Sequence, residues 1–164
     1  MAQLKDIPVH FRDINLNNQN EVDQWLRLIA SEPKHFYKPL ATMDDVIEYS
    51  RLMQIRVHMR GELLVATGAL QFQQVDDPWL CTDEVRFIAI PREYRRHSLG
   101  RAVVRDQIAI ARNPDSLGVG VYAVPGHEII ERLLFSEGFG PDPVDIRPYG
   151  YSNEEIHYYL FNRK

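Results

Sequence analysis

The chain has 164 residues, 45% of them hydrophobic, 26% charged and 10% aromatic, the proportions of a folded domain that can bury its own core. Nineteen Lys and Arg against 23 Asp and Glu leave a net charge of −4, which argues against a protein built around the phosphate backbone of nucleic acid. Cys81 is the only cysteine, so an internal disulfide and a thiolate-rich zinc site are both excluded.

The amino-terminal segment lacks a signal-type apolar stretch, and no run of about 18 apolar residues occurs. The expectation is a single cytoplasmic domain over 1–164 that works without a membrane. In chain order, Ile7, Val9 and Phe11 alternate with polar or small neighbours, the period of a half-buried strand. Asn20 is the expected cap of a first helix, whose stripe is Val22, Trp25, Leu26 and Ile29 and which Pro33 stops. Thr42 opens a second helix, with Asp45 three residues on to reach back and Met43, Val46, Ile47 and Met53 as its apolar stripe. Ile55, Val57 and Met59 return to period two, and Arg60-Gly61 turns the chain into a partner strand over 63–72.

Beyond a polar loop, EVRFIAI (84–90) is rich in β-branched residues and reads as a strand running into a loop and helix over 91–112. A strand over 118–124 follows, then a short helix over 129–137 closed by Gly138, and a last strand over 156–161. The pattern is a mixed α/β sheet covered by helices.

The most informative segment is REYRRHSLGRA, between strand 84–90 and its helix. Arg95, Arg96 and Arg101 gather where that helix begins, although a helix amino terminus carries partial positive charge and orphan N–H groups that favour acids. A bound anion would resolve the conflict, and a phosphate or pyrophosphate is the natural one. The alternative is a solvated basic surface with its arginines paired to acids.

This stretch resembles motif A of the GNAT (GCN5-related N-acetyltransferase) superfamily, Gln/Arg-x-x-Gly-x-Gly/Ala. Here it reads Arg95-Arg96-His97-Ser98-Leu99-Gly100, preceded by Ile88-Ala89-Ile90 in place of the family's Leu-Ala-Val and followed by Arg101-Ala102. Strand 118–124 and the helix ending Ser136-Glu137-Gly138-Phe139 resemble motif B. The order of strands and helices also matches the family. The resemblance implies a mixed, mostly antiparallel sheet of six or seven strands flanked by about four helices, with the fourth and fifth strands parallel and splayed. It implies acetyl-CoA as co-substrate and no metal. Arg95 to Ala102 would cradle the pyrophosphate, and Ile88, Ala89 and Ile90 would flank the pantetheine.

Two departures stand out. Ser98 replaces the first small residue of the motif, a costly choice where φ is positive. Leu134, or Phe135 in a helix shifted by one, stands where the family often places the tyrosine that protonates the leaving thiolate.

An alkylammonium acceptor, with pKa near 10.4, must lose a proton before it attacks a thioester. Strand alternation places Glu84, Arg86, Ile88 and Ile90 on one face, and a catalytic glutamate holds the Glu84 position in the family's histone-acetylating branch. Glu84 is thus the candidate general base, or else a rim carboxylate paired with an arginine. Tyr122, on the neighbouring strand, is a candidate donor to the departing sulfur, or else a core tyrosine. His127-Glu128-Ile129-Ile130-Glu131 lacks the second histidine of a zinc-protease helix, and the chain has neither a Gly-x-Ser-x-Gly elbow nor a P-loop. The expectation is an N-acetyltransferase acting on a small-molecule or peptide amine, with a homodimer left open. The alternatives are a GNAT-like module that binds acyl-CoA or a partner without turnover, and a small α/β domain with surface arginines.

Overall fold

The computed structural model describes residues 8–31, 40–72, 83–95, 98–111, 118–123, 128–141 and 156–161, with the backbone alone at 122–123 and 156–161. Ile7, Pro33, Cys81, Arg96, His97 and His127 lie outside the described residues.

The elements are β1 (Val9–Asp13), α1 (Gln19–Ala30), α2 (Met43–Leu52), β2 (Gln54–Arg60), β3 (Leu63–Gln71), β4 (Asp83–Ala89), α3 (Leu99–Ile110), β5 (Gly118–Ala123), α4 (Glu128–Ser136), β6 (Gly140–Pro141) and β7 (Ile156–Phe161). A short 3₁₀ turn, Arg92–Tyr94, lies between β4 and α3. The strands form one seven-stranded sheet in the order β1-β2-β3-β4-β5-β7-β6. Every neighbouring pair is antiparallel except β4 and β5. The expected fold class is therefore the one observed.

Most boundaries follow from local chemistry. Thr42 and Asp45 close the start of α2 with a full capping box. At α4 the Phe139 amide donates to the Leu134 carbonyl and the Gly138 amide to that of Phe135, a Schellman end that needs a left-handed residue. Gly138 supplies it, with φ +90. The cap of α1 lies two residues before the expected one: Asn18 accepts from the Glu21 amide. Glu21 itself is buried, where it receives Arg12 and the Asn15 amide and so ties the β1–α1 connection to the sheet.

The core has two sides. Val22, Trp25 and Ile29 of α1 and Val46 of α2 pack on Ile55, Val57, Ala69, Phe87 and Ala89. On the opposite face Val104 of α3 and Leu134 of α4 pack on Leu70, Val85, Val119 and Val121. Leu28, not Leu26, completes the buried stripe of α1. Phe11 stands 44% exposed on the sheet edge, more open than a half-buried strand implies. α3 lies so close to β3 that a Cβ on Gly68 would come within 2.7 Å of Val103 Cγ1.

Candidate coenzyme and acyl-transfer site

The site begins where β4 and β5 part. Their ladder pairs Asp83, Glu84 and Val85 with Val119, Gly120 and Val121 and stops there. Each strand continues with its outer neighbour, β4 with β3 as far as Ala89 and β5 with β7 as far as Ala123. A wedge therefore opens between 86–89 of β4 and 122–123 of β5. In it Ile88 and Ala89 of β4 have no strand partner on the β5 side among the described residues.

A β-bulge sits beside the wedge. Leu70 pairs with Val85 and Ala69 with Phe87, so Arg86 is the extra residue. Val85 packs on the α3 side, Phe87 and Ala89 on the α1 side, and Ile88 again on the α3 side. This corrects the expectation of one shared face for Glu84, Arg86, Ile88 and Ile90. The inserted residue shifts the alternation, and Glu84 falls on the α1 side while Ile88 and Ile90 pack with Leu99 and Val103 under α3. Glu84 is 2% exposed, between Gln71 on β3 and Gly120 on β5. Arg86 donates its Nε–H to Gln71 Oε1. Tyr122 is described by its backbone, which pairs with His157.

At the open end of the wedge the chain turns into α3. Ser98 has φ +59 and ψ +9, the only positive φ at a non-glycine among the described residues. In that left-handed geometry its hydroxyl makes no capping bond, and its carbonyl opens the helix by accepting from Ala102. The first turn of α3 holds no acid, whereas those of α1, α2 and α4 each hold at least one. Leu99 is a buried anchor, and Gly100 lets α4 approach: a Cβ there would stand 3.3 Å from Leu133 Cδ2. Arg95 folds back and donates its Nε–H to the Ile90 carbonyl at 3.0 Å, one of the main-chain groups expected to flank a pantetheine. That oxygen retains a second lone pair. Arg101 reaches the end of α4 instead of its own helix start. Its Nε lies 3.1 Å from Glu137 Oε1 and its Nη2 donates to Ser136 Oγ at 3.2 Å.

At the motif-tyrosine position Leu134 is fully buried in the core and Phe135 is half exposed; both are hydrocarbon side chains with no proton to give a thiolate. A cleft of about 450 Å³ lies between Arg27 and Leu28 of α1 and the Pro91–Glu93 stretch. It abuts the exit of β4 on the α1 side, roughly 20 Å along the strand from Glu84.

Sequence reasoning missed a buried polar cluster behind α3. Arg56 on β2 donates two hydrogen bonds of 2.9 Å to Asp106 and a third of 2.9 Å to Asp13. His58 is fully buried, with its ring 4.3 Å from that of Phe11 and Nε2 3.5 Å from Asp106 Oδ2. Burial by itself raises the Asp106 carboxyl, but the nearby His58 ring and the paired Arg56 guanidinium outweigh it and hold the carboxyl at about 2. The two aligned Arg56 bonds carry more of this than His58, whose contact is long for a hydrogen bond. Arg56 is raised in turn, chiefly by its bonds to Asp106. The available signal was the alternation of Arg56 and His58 with Ile55, Val57 and Met59. The polar face of that strand reads as solvent-facing until α3 is seen to cover it.

No family model matches the sequence, and no curated protein does. Solved structures do. A ribosomal-protein-alanine N-acetyltransferase from Brucella melitensis is 11% identical, covers 93% of this chain and 99% of its own, and superposes with a TM-score of 0.74. The PaiA N-acetyltransferase from Thermoplasma acidophilum, in complex with coenzyme A, is 10% identical over 95% of this chain and 100% of its own, at 0.69. A Bacillus subtilis acetyltransferase, in complex with CoA, is 16% identical over 96% and 99%, at 0.65. At these identities the likeness is one of fold, and the chain has the fold of the GNAT acetyltransferases.

Proposed function

We propose that this chain, built on the GNAT fold, is an acetyl-CoA-dependent N-acetyltransferase that moves the acetyl group directly to a primary amine in a ternary complex. The observation that carries the reading is the open start of α3. A strained, uncapped helix terminus without acids stands at the mouth of the β4–β5 wedge, where a pyrophosphate would satisfy the N–H groups that no side chain caps. Arg95 to Ala102 would form the cradle, and the main chain of Ile88, Ala89 and Ile90 borders the wedge that would take the pantetheine. Bound there, acetyl-CoA supplies an activated thioester, and the chemistry needs no metal.

The two faces of the sheet then divide the work. The α3 start would hold the coenzyme phosphates, and the buried Glu84 on the α1 side would meet an amine entering from that side. Glu84 takes a proton from the acceptor ammonium, directly or through water, and the free amine attacks. The new C–N bond forms at the thioester carbon, and the C–S bond breaks. Tyr122 is the assigned donor to the departing sulfur, a modest role because a thiol of pKa near 8.5 leaves without a strong acid. Peptide α-amines join small amines as acceptors to screen, given the activity named for the Brucella neighbour.

The test is Glu84→Gln. Acetylation falls by about 10²–10⁴-fold, less at high pH where the amine is already neutral, while calorimetric affinity for CoA stays the same. Full turnover in this variant would remove Glu84 from the mechanism. Coenzyme binding without turnover by the wild type on any amine would favour the non-catalytic acyl-CoA-binding module. Burial of Leu134 at the usual tyrosine position is the observation on that side.

A further inference from the structure

The α3–α4 junction holds more than a structural tie. Glu137 stands just past the end of α4, where its N–H donates hydrogen bonds to the Leu133 and Leu134 carbonyls, and it is followed by the left-handed Gly138. Its side chain is 8% exposed and lies between two arginines of α3. The arginines hold it unequally. Arg105 Nε donates a well-aligned 2.8 Å hydrogen bond to Oε2, and that bond raises the Arg105 guanidinium. Arg101 Nε is 3.1 Å from Oε1, yet Oε1 has no aligned hydrogen bond among the described residues. The second contact of Arg101 is to the neutral hydroxyl of Ser136. Arg101 is also the third residue of α3, in the turn whose N–H groups are uncapped.

We propose that Arg101 is a two-position cation, parked on Glu137 and Ser136 while the α3 start is empty and passed to the phosphates when a pyrophosphate-bearing ligand binds there. The inference rests on the coenzyme reading above and adds to it a competitor built into the fold. Glu137 cannot follow the arginine, because its backbone is pinned by the helix end. It need not, because Arg105 keeps the carboxylate compensated after Arg101 leaves. Arg101 moves by rotating its own exposed side chain between staggered wells, without a backbone change. A bidentate phosphate contact is worth more to it than a misaligned carboxylate and a hydroxyl.

The experiment is calorimetric titration of CoA, and separately of inorganic pyrophosphate, into wild type, Glu137→Gln, Ser136→Ala, Arg101→Ala and the Arg101→Ala/Glu137→Gln double variant, each checked for its melting temperature. Freeing Arg101 in Glu137→Gln tightens CoA binding about threefold, the scale of a misaligned, half-exposed ion pair, and Ser136→Ala does so by a smaller factor. Arg101→Ala weakens binding about tenfold, and the double variant matches Arg101→Ala alone, because the gain from Glu137→Gln needs the arginine. Ser136→Ala leaves the buried carboxylate in place, so it reports even if Glu137→Gln melts early. Wild-type binding that is unchanged or weakened in both Glu137→Gln and Ser136→Ala overturns the exchange while leaving the coenzyme reading intact. No binding of CoA or pyrophosphate by any folded form overturns the coenzyme reading and the exchange with it.

Discussion

The amino termini of α2 and α3 solve the same problem in opposite ways. At α2, Thr42 and Asp45 exchange hydrogen bonds with each other's backbone, and acids fill the first turn. At α3, a left-handed Ser98 leaves the hydroxyl unused, no acid is present, and the cation at the third position points to a neighbouring helix. The difference shows how a helix is held when its start is reserved. α3 is anchored from its middle, by Asp106 on Arg56, and from its flank, by Arg105 on Glu137. Its first turn is packed through Leu99 and Gly100, yet its backbone N–H groups have no side-chain cap and stay open to an anion.

The largest effect should come from cutting the mid-helix anchor. Asp106→Ala leaves the mostly buried Arg56 without its main partner and lowers stability by about 3 kcal/mol in urea unfolding. A loss no greater than that of an ordinary cap would show that α3 is not held from its middle. The same anchor gives an acid limb. The Asp106 carboxyl lies at about 2 in the folded chain against an ordinary 3.8, so the unfolded state binds its proton first as pH falls. The stability it supplies, about 2 kcal/mol, is complete above about pH 4 and is lost between pH 4 and 2. A stability profile of Asp106→Asn lacks that portion of the acid loss.

Smaller effects sharpen the contrast between the two helix starts. Thr42→Ala removes a cap and costs about 1 kcal/mol, with CoA affinity unchanged. Ser98→Gly relieves a left-handed serine at the cost of a more flexible unfolded chain, a net gain of about 0.5 kcal/mol in thermal unfolding. A destabilised Ser98→Gly would mean that the serine side chain contributes contacts that outweigh its strain.

Much of this arrangement was legible in the residues. The capping box at Thr42, the Gly138 helix end and the arginine cluster before α3 are local features, each decided within a few residues by hydrogen-bond geometry or by φ. The order of strands and helices followed from periodicity for the same reason. The face of Glu84 was not legible, because Arg86 is an extra residue only in relation to its partner strand, and strict alternation had put Glu84 beside Ile88. Arg101 read as a phosphate ligand because its nearest neighbours in sequence are the motif. Its partner Glu137 stands 36 positions away and meets it only when α4 packs on Gly100.

The sequence by itself determined the order of helices and strands, which of them carry an apolar stripe, and that the turn before Leu99 breaks the charge preference of a helix start. Those are properties of short stretches, set by backbone sterics and local hydrogen bonds. Only the tertiary structure decided that β4 and β5 part after Val85, that Arg56 and His58 lie under α3 instead of in water, and that Glu137 holds the cation nearest the open helix end. Each of these depends on segments distant in the chain packing face to face. Burial and charge pairing at such contacts are set by the partner, which local pattern does not name.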